Sequence, residues 1–478
     1  MQTPKPKNWF VRSLGAHSWL GLVVGAAMYW ICLSGTLLVF HEDLGRWEQP
    51  EVDEFREYDE AALSSTFNTW FDDPARVTPH LWIILPTDTL PRIRFASETD
   101  SWLLNADGTV GPNERNAWTE MLMDLHLYLH LPKTWAMVLV SALGAMLVAL
   151  IISGFFAHPK IIRDAFKLRL GGNRQLEQTD IHNRLSVWGA PFHLMIAVTG
   201  AYFGLALVIM GLYAQVFSDG DSQAIVADVF GGEPQLEQQE GGVAIDAALR
   251  RLKQLAPDVT PVLVTVHDAG TPNRFIEIYA TIEGRLIYSE NYVFDAQGEY
   301  LEKRGFSDGE PGKQMIYSIY RLHFGRFGGL GIKLLYGLLG LAITIVSATG
   351  INIWLAKRRA RSWLDDLWVA VVWGAPVAIL LSALAAVCFG WSPRLWFWVP
   401  YIVATVFALW LRDDRSARQW LQRGASVAAL ILTVAYSVTH PSSAVSTAVA
   451  GSTMVLGVMF AALSATGGPK TTVSTVPV

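Results

Sequence analysis

Residues 180–212 read DIHNRLSVWGAPFHLMIAVTGAYFGLALVIMGL, and the rest of the chain is best read outward from them. The stretch enters a long apolar run through His182, meets His193 eleven residues on, and reaches a Thr199-Gly200 pair seventeen residues after His182. At about 100° per residue, eleven residues make roughly three turns, which places both imidazoles on one helix face about 16 Å apart. An ionisable ring at membrane depth is costly to bury, so its presence there points to function.

The bulk of the chain fits a membrane setting. Of 478 residues, 51% are hydrophobic and 17% charged, and the mean hydropathy is +0.29, which indicates a polytopic membrane protein rather than a soluble one. A net charge of −5 gives no footing for nucleic acid. Cys32 and Cys388 both fall in apolar runs, so neither a disulfide framework nor a CxxC site is expected. Many of the nineteen tryptophans, such as Trp19, Trp135, Trp188, Trp354 and Trp396, stand near the ends of apolar runs, as interfacial aromatic belts do.

The first apolar run, 19–40, is longer than a signal-peptide core and continues into HEDLGRWEQ, so residues 1–41 read as a retained span. Residues 42–118 are polar and contain short alternating stretches (VTPHLWIILP, RIRFASE, SWLLNADGTV), a first extracytoplasmic α+β module. Residues 119–212 hold spans two and three around a loop, 158–184, rich in Lys160, Arg163, Lys167, Arg169, Arg174 and Arg184, a cytoplasmic signature. Residues 213–318 form a second module, with AIDAALRRLKQLAP as an amphipathic helix ahead of PVLVTVHD, RFIEIYAT and RLIYSENYVF. Residues 319–358 carry span four. Residues 359–478 hold four more apolar runs, near 367–389, 395–411, 425–439 and 446–464, the middle two short for a crossing of about 20 residues. Lys5, Lys7 and Arg12 ahead of the first span place the N-terminus in the cytoplasm, and an even number of spans returns the C-terminus there.

An internal duplication organises the histidines. His17 stands seventeen residues before Ser34-Gly35, as His182 does before Thr199-Gly200. His126 and His323 precede spans two and four on the outer side, with Ser153-Gly154 and Thr349-Gly350 following at 27 and 26 residues. Two copies of one unit result: inner histidine, span, outer module, outer histidine, span. Packed about a pseudo-twofold axis, they bring His17 to His182 at one membrane face and His126 to His323 at the other. Two imidazoles from different helices beside an apolar slot are what a b-type haem requires, and the small residues allow close helix approach or room for a porphyrin. Taken singly, each of these histidines reads as an interfacial side chain; the matched spacing is the argument for ligation. His130, one turn beyond His126, is an alternative ligand, and His193 reads either as a further ligand or haem neighbour or as a hydrogen-bonded core residue. His41, His158 and His440 read as boundary residues, His80 and His267 as parts of the soluble modules.

Other chemistries lack their motifs. HEDLG at His41 misses the second histidine of HExxH, no GxGxxG follows a strand-like run, and no GxSxG elbow occurs.

The pattern resembles the PepSY-associated transmembrane family. The resemblance is carried by His17 with WLGL and LSGTLLVF, by DLHLYLH at 124–130, by DIHNRLSVWGAPF and VTG at 180–200, and by LHFGRFGG at 322–329 with SATG. It covers about residues 1–360, including both modules, which look PepSY-like. Similar proteins include dihaem inner-membrane ferric-siderophore reductases. The resemblance therefore implies a bacterial inner-membrane, multi-pass protein with two haems b, held by His17 with His182 and His126 with His323. It also implies a ferric siderophore or similar chelate as electron acceptor on the periplasmic side, and a quinol or a flavoprotein as donor. A different expectation is a membrane-anchored binding or regulatory protein acting through its PepSY-like modules without redox activity; a third is a transporter using the added C-terminal spans.

Overall fold

The computed structural model describes residues 9–466 apart from 159, 171–172, 223–224, 226, 228–230, 233, 235, 237–240 and 359. Lys5 and Lys7 lie outside the described residues. Among the described residues, eight helices are long and apolar enough to cross a membrane. With that length and composition the chain is a multi-pass helical membrane protein.

The first half of the duplicated region begins with α1 (Trp9–Leu38) and a short α2 (His41–Glu48), then α3 (Glu60–Phe71) and strands β1 (His80–Ile84), β2 (Arg94–Ala96), β3 (Ser101–Leu104) and β4 (Val110–Asn113). Helix α4 (Ala117–Tyr128) leads into the second span, α5 (Lys133–Ala157), with Pro132 at the break between them. After a short α6 (Ile161–Asp164) the plan repeats: α7 (Arg174–Trp188), α8 (Ala190–Phe217), α9 (Ile245–Leu255), β5 (Val259–His267), β6 (Phe275–Ile282), β7 (Glu290–Asp295), β8 (Tyr300–Lys303), α10 (Pro311–Phe324) and α11 (Gly329–Ala356). The tail adds α12 (Trp363–Phe389), α13 (Pro393–Leu411), α14 (Asp414–Thr439) and α15 (Ala444–Thr466).

Two boundaries differ from the sequence reading. The opening stretch is not one helix: α7 stops at Gly189 and α8 starts anew with Pro191 in its first turn, so His182 and His193 stand on separate helices. The run near 425–439 is only the inner part of α14, which starts at Asp414 under an Asp413 cap and spends its first three turns as the polar sequence DRSARQWLQRG.

In the membrane region α1 packs on α5 and α11, α5 on α8, and α11 on α7, closing a ring of four. On the side where the loops are long, all eight strands form one antiparallel sheet in the order β4-β3-β2-β1-β5-β6-β7-β8. The two expected modules thus share a sheet, joined where β1 pairs with β5 (His80 opposite His267, Ile84 opposite Leu263). Helices α3 and α9 cover one face, and their core is common: Phe67, Trp70, Leu81, Ile83 and Phe95 pack with Ile245, Leu249, Val264, Ile276 and Phe294. The Asn68 side chain joins the halves as well, donating to Val243 O and accepting from Val243 N at 2.9 Å each.

Candidate functional site

The ring of spans gathers the four duplicated histidines into two pairs. Away from the sheet, His17 of α1 faces His182 of α7 with ring centres 6.4 Å apart and planes at 81°. Beside the sheet, His126 of α4 faces His323 of α10 at 6.3 Å and 43°. Seventeen residues of α1 separate His17 from the Ser34 that touches His126, so the pairs lie about 25 Å apart along the helix axis.

Each imidazole is seated on a Ser/Thr-Gly pair of a neighbouring helix. His17 Nδ1 lies 3.0 Å from Leu150 O and 3.3 Å from Ser153 Oγ. His182 Nδ1 is 3.1 Å from both Val346 O and Thr349 Oγ1. His126 Nδ1 is 2.9 Å from Ile31 O and 3.4 Å from Ser34 Oγ, and His323 Nδ1 is 2.9 Å from Thr199 Oγ1. The hydroxyls donate back to their own helices, Ser34 to Trp30 O, Thr199 to Met195 O, Thr349 to Ile345 O and Ser153 to Leu150 O. They therefore present lone pairs to the rings, and Nδ1 is the donor in all four cases. This assigns one tautomer throughout and leaves Nε2 as the nitrogen with a free lone pair. Donation from Nδ1 to a fixed oxygen is the arrangement that orients an imidazole for metal ligation and raises its basicity.

The glycine of each pair makes room for the ring. A Cβ added at Gly35 would stand 2.6 Å from His126 Cε1, and one at Gly154, Gly200 or Gly350 would stand 3.2, 3.2 or 3.4 Å from Cε1 of His17, His323 or His182. In the sequence these dipeptides were counted along the chain from the preceding histidine. In space each serves a histidine from another helix, a role that the along-chain count did not reveal.

A cavity of about 480 Å³ opens inside the ring at the His17–His182 pair, lined also by Gly21, Gly25, Met28 and His193. His193 is 2% exposed, and its Nε2 has no hydrogen-bond partner among the described residues. Its ring fills the space above Gly189, where an added Cβ would collide with His193 Cε1 and Nε2. It faces this cavity but pairs with no second imidazole. His130 stands apart from both pairs: Nε2 lies 2.9 Å from Met121 O and Nδ1 2.9 Å from the Trp398 indole nitrogen, so both of its nitrogens are spent within the protein. Among the described residues no group of three or more His, Cys, Asp or Glu is arranged to hold a metal ion. Each pair offers two imidazole nitrogens, and at the His17–His182 cavity His193 adds a third ring that faces the same space.

An ionic cluster missed in the sequence borders the sheet-side pair. Arg326 reaches His41 and lies 3.1 Å from Glu42, while Lys333 lies 3.3 Å from Glu42 and 2.9 Å from Asp43. Burial and the adjacent guanidinium hold the His41 ring below the ordinary imidazole range. Burial alone would lift the Glu42 carboxyl, but its cationic neighbours, Arg326 first and then Lys333, more than offset it and bring it lower. His41 is therefore neutral and bonded, a boundary residue as read from the sequence.

An uncharacterized protein of Pseudomonas aeruginosa, PA4219, is similar to this chain, with 25% identity across 66% of the chain and 86% of its own length. The family described as the PepSY-associated TM region matches residues 14–357, which takes in all four paired histidines and all four seats and ends where the last four spans begin. The chain belongs to the PepSY-associated transmembrane family.

Proposed function

We propose that this protein is a dihaem b-type cytochrome that carries electrons outward across a bacterial cytoplasmic membrane and reduces a ferric siderophore or similar ferric chelate. The observation that carries this reading is the spacing of the two histidine pairs, 6.4 and 6.3 Å between ring centres. Two coaxial imidazoles bonded to one metal atom at about 2.0 Å each have their ring centres about 6.3 Å apart. The donor set fits the same group: paired imidazole nitrogens with Nδ1 already engaged, among the described residues no cluster of three or more metal-binding side chains, and at one pair a cavity of about 480 Å³, within the range of roughly 300–1,000 Å³ typical of cofactor sites.

In this reading His17 with His182, and His126 with His323, would hold the two haems, whose irons supply one-electron redox chemistry. The chain's own part is to fix the four rings, to keep water from their apolar surroundings, and to span the bilayer. The cations Arg163, Lys167, Arg169, Arg174 and Arg184 all fall on the side opposite the sheet, which supports a cytoplasmic assignment for that side and for the His17–His182 end. Electrons would enter there from a quinol or a flavoprotein. The acceptor would gain one electron per Fe³⁺ beside the sheet, and the Fe²⁺ formed would leave a chelate built for Fe³⁺.

The test is the haem-to-protein ratio and the dithionite-reduced spectrum of protein made with ample haem. Two haems per chain are expected, with a Soret band that shifts on reduction, and alanine at His17, His182, His126 or His323 lowers the ratio while alanine at His130 leaves two. A wild-type protein free of haem would end the reading. Release of Fe²⁺ from a ferric hydroxamate or catecholate, followed with a ferrous-specific dye, then tests the acceptor.

A further inference from the structure

The last four spans lie beyond the family match, and neither histidine pair includes a residue from them. They meet the core at several places, among them Tyr29 OH on Val372 O at 2.7 Å and Trp368 Nε1 on Asn352 Oδ1 at 3.0 Å. One set of contacts differs from these in falling at both ends of α4, the helix that presents His126. At its start, Trp118 Nε1 donates to Ser382 Oγ of α12 at 3.0 Å. At its end, Trp398 Nε1 of α13 donates to His130 Nδ1 at 2.9 Å, and Arg394 donates to His130 O at 2.5 Å. Because an indole only donates, His130 Nδ1 must accept, and Nε2 carries the proton that it gives to Met121 O, about two turns back from the end of α4. His130 therefore ties α4 to the sixth span through both ring nitrogens and its carbonyl.

The backbone shows why a tie is needed. Leu129 and His130 are consecutive left-handed residues with φ of 51° and 57°, a conformation that side chains rarely adopt. In the other copy the helix bearing His323 ends on Gly325, with φ of 67°, which takes that conformation without a Cβ penalty. The two copies thus solve the same turn differently. Only the copy packed against the tail uses non-glycine residues held from outside.

We propose that the C-terminal four-span unit is a brace for the sheet-side pair: through His130, Trp398, Arg394 and the Trp118–Ser382 bond it fixes α4 and hence the aim of His126. His130 is a positioning residue. The consequence for the haem rests on the reading of His126 as an axial ligand; the brace itself does not.

The experiment uses full-length protein in detergent, with Trp398→Phe and His130→Phe, which keep an aromatic ring in place and delete the side-chain hydrogen bonds. Amide exchange over 117–131 is expected to quicken about 3- to 10-fold in each, the equivalent of one net hydrogen bond, while 311–324 keeps its rate. Wild-type exchange over 117–131 would overturn the brace. Equal quickening over 311–324 would overturn it too, because the contacts would then hold the whole molecule rather than α4. In haem-loaded protein the same variants are expected to shift the paramagnetic resonance signature of one low-spin centre and leave the other unchanged. Two unchanged centres would overturn the claim on His126. A wild type without haem would instead fell the cytochrome reading, with the exchange rates still deciding the brace.

Discussion

At Gly35 an added methyl would stand 2.6 Å from His126 Cε1, whereas at Gly350 it would stand 3.4 Å from His182 Cε1, an ordinary contact. The same substitution therefore has graded consequences. Gly35→Ala is expected to displace the His126 ring, costing about 1–3 kcal/mol in overpacking, and, on the proposed cytochrome reading, to lose the sheet-side haem. Gly154→Ala and Gly200→Ala, at 3.2 Å, are expected to be intermediate, and Gly350→Ala close to wild type. Haem-to-protein ratios of the four variants check the order; equal ratios in all four would mean that the glycines do not seat the rings. The four paired histidines were legible in the sequence because ionisable residues stand out in apolar runs and because their spacing repeats. Which Ser/Thr-Gly pair each one uses was not legible. Helical periodicity reports neighbours along one helix, and the contacts His126–Ser34 and His323–Thr199 run between helices 92 and 124 residues apart.

Among the elements, α4 has an unusual N-terminus. Its own cap residue, Asn116, makes no side-chain bond. Glu48 of α2 takes its place, accepting from Trp118 N at 2.9 Å, Thr119 N at 2.8 Å and Thr119 Oγ1 at 2.6 Å. A cap borrowed from a segment some 70 residues earlier leaves no local mark, which is why the start of this helix is not legible in the sequence. Burial pushes the Glu48 carboxyl up to about 7, against the pull of the bonds from Thr119 and Trp118 and with a further push from Glu120. A folded pKa above the unfolded value means that folding takes up a proton. The stability from this group is then complete below its unfolded value near 4.5 and is lost as pH rises through about 7. Glu48→Gln is expected to lower the melting temperature through a cap loss of about 1 kcal/mol. The gap between wild type and variant should be wider at about pH 5 than at about pH 8, where the buried carboxylate has become a liability. A gap that is constant or widens toward alkaline pH would show that Glu48 does not titrate as described.

For the whole molecule, the deciding feature is that two stretches separated by two membrane spans make one sheet. The sequence located both stretches and their strand-like runs, yet the pairing of β1 with β5 joins residues from 179 (Ile84 to Leu263) to 187 (His80 to His267) apart, for which alternation within each run carries no signal. Physics favours the join. Apart, each half would leave β1 or β5 as an open edge and half of a core uncovered; together they close that edge and give α3 and α9 one shared floor. The duplication visible in the histidines thus continues into the soluble part, and the β1–β5 seam holds the halves in register there. Val264 tests this seam. It is fully buried in β5, opposite Ile83 of β1 and Ile278 of β6. Val264→Asp places an unpaired carboxylate in the shared core at a cost of about 3–5 kcal/mol. If the halves are one folding unit, limited proteolysis of the variant should open 80–104 as readily as 259–303, although the substitution lies only in the second half. Protection that survives at 80–104 while 259–303 is cut would mean that each half keeps its own core, and that the alignment of the histidine pairs comes from the membrane helices alone.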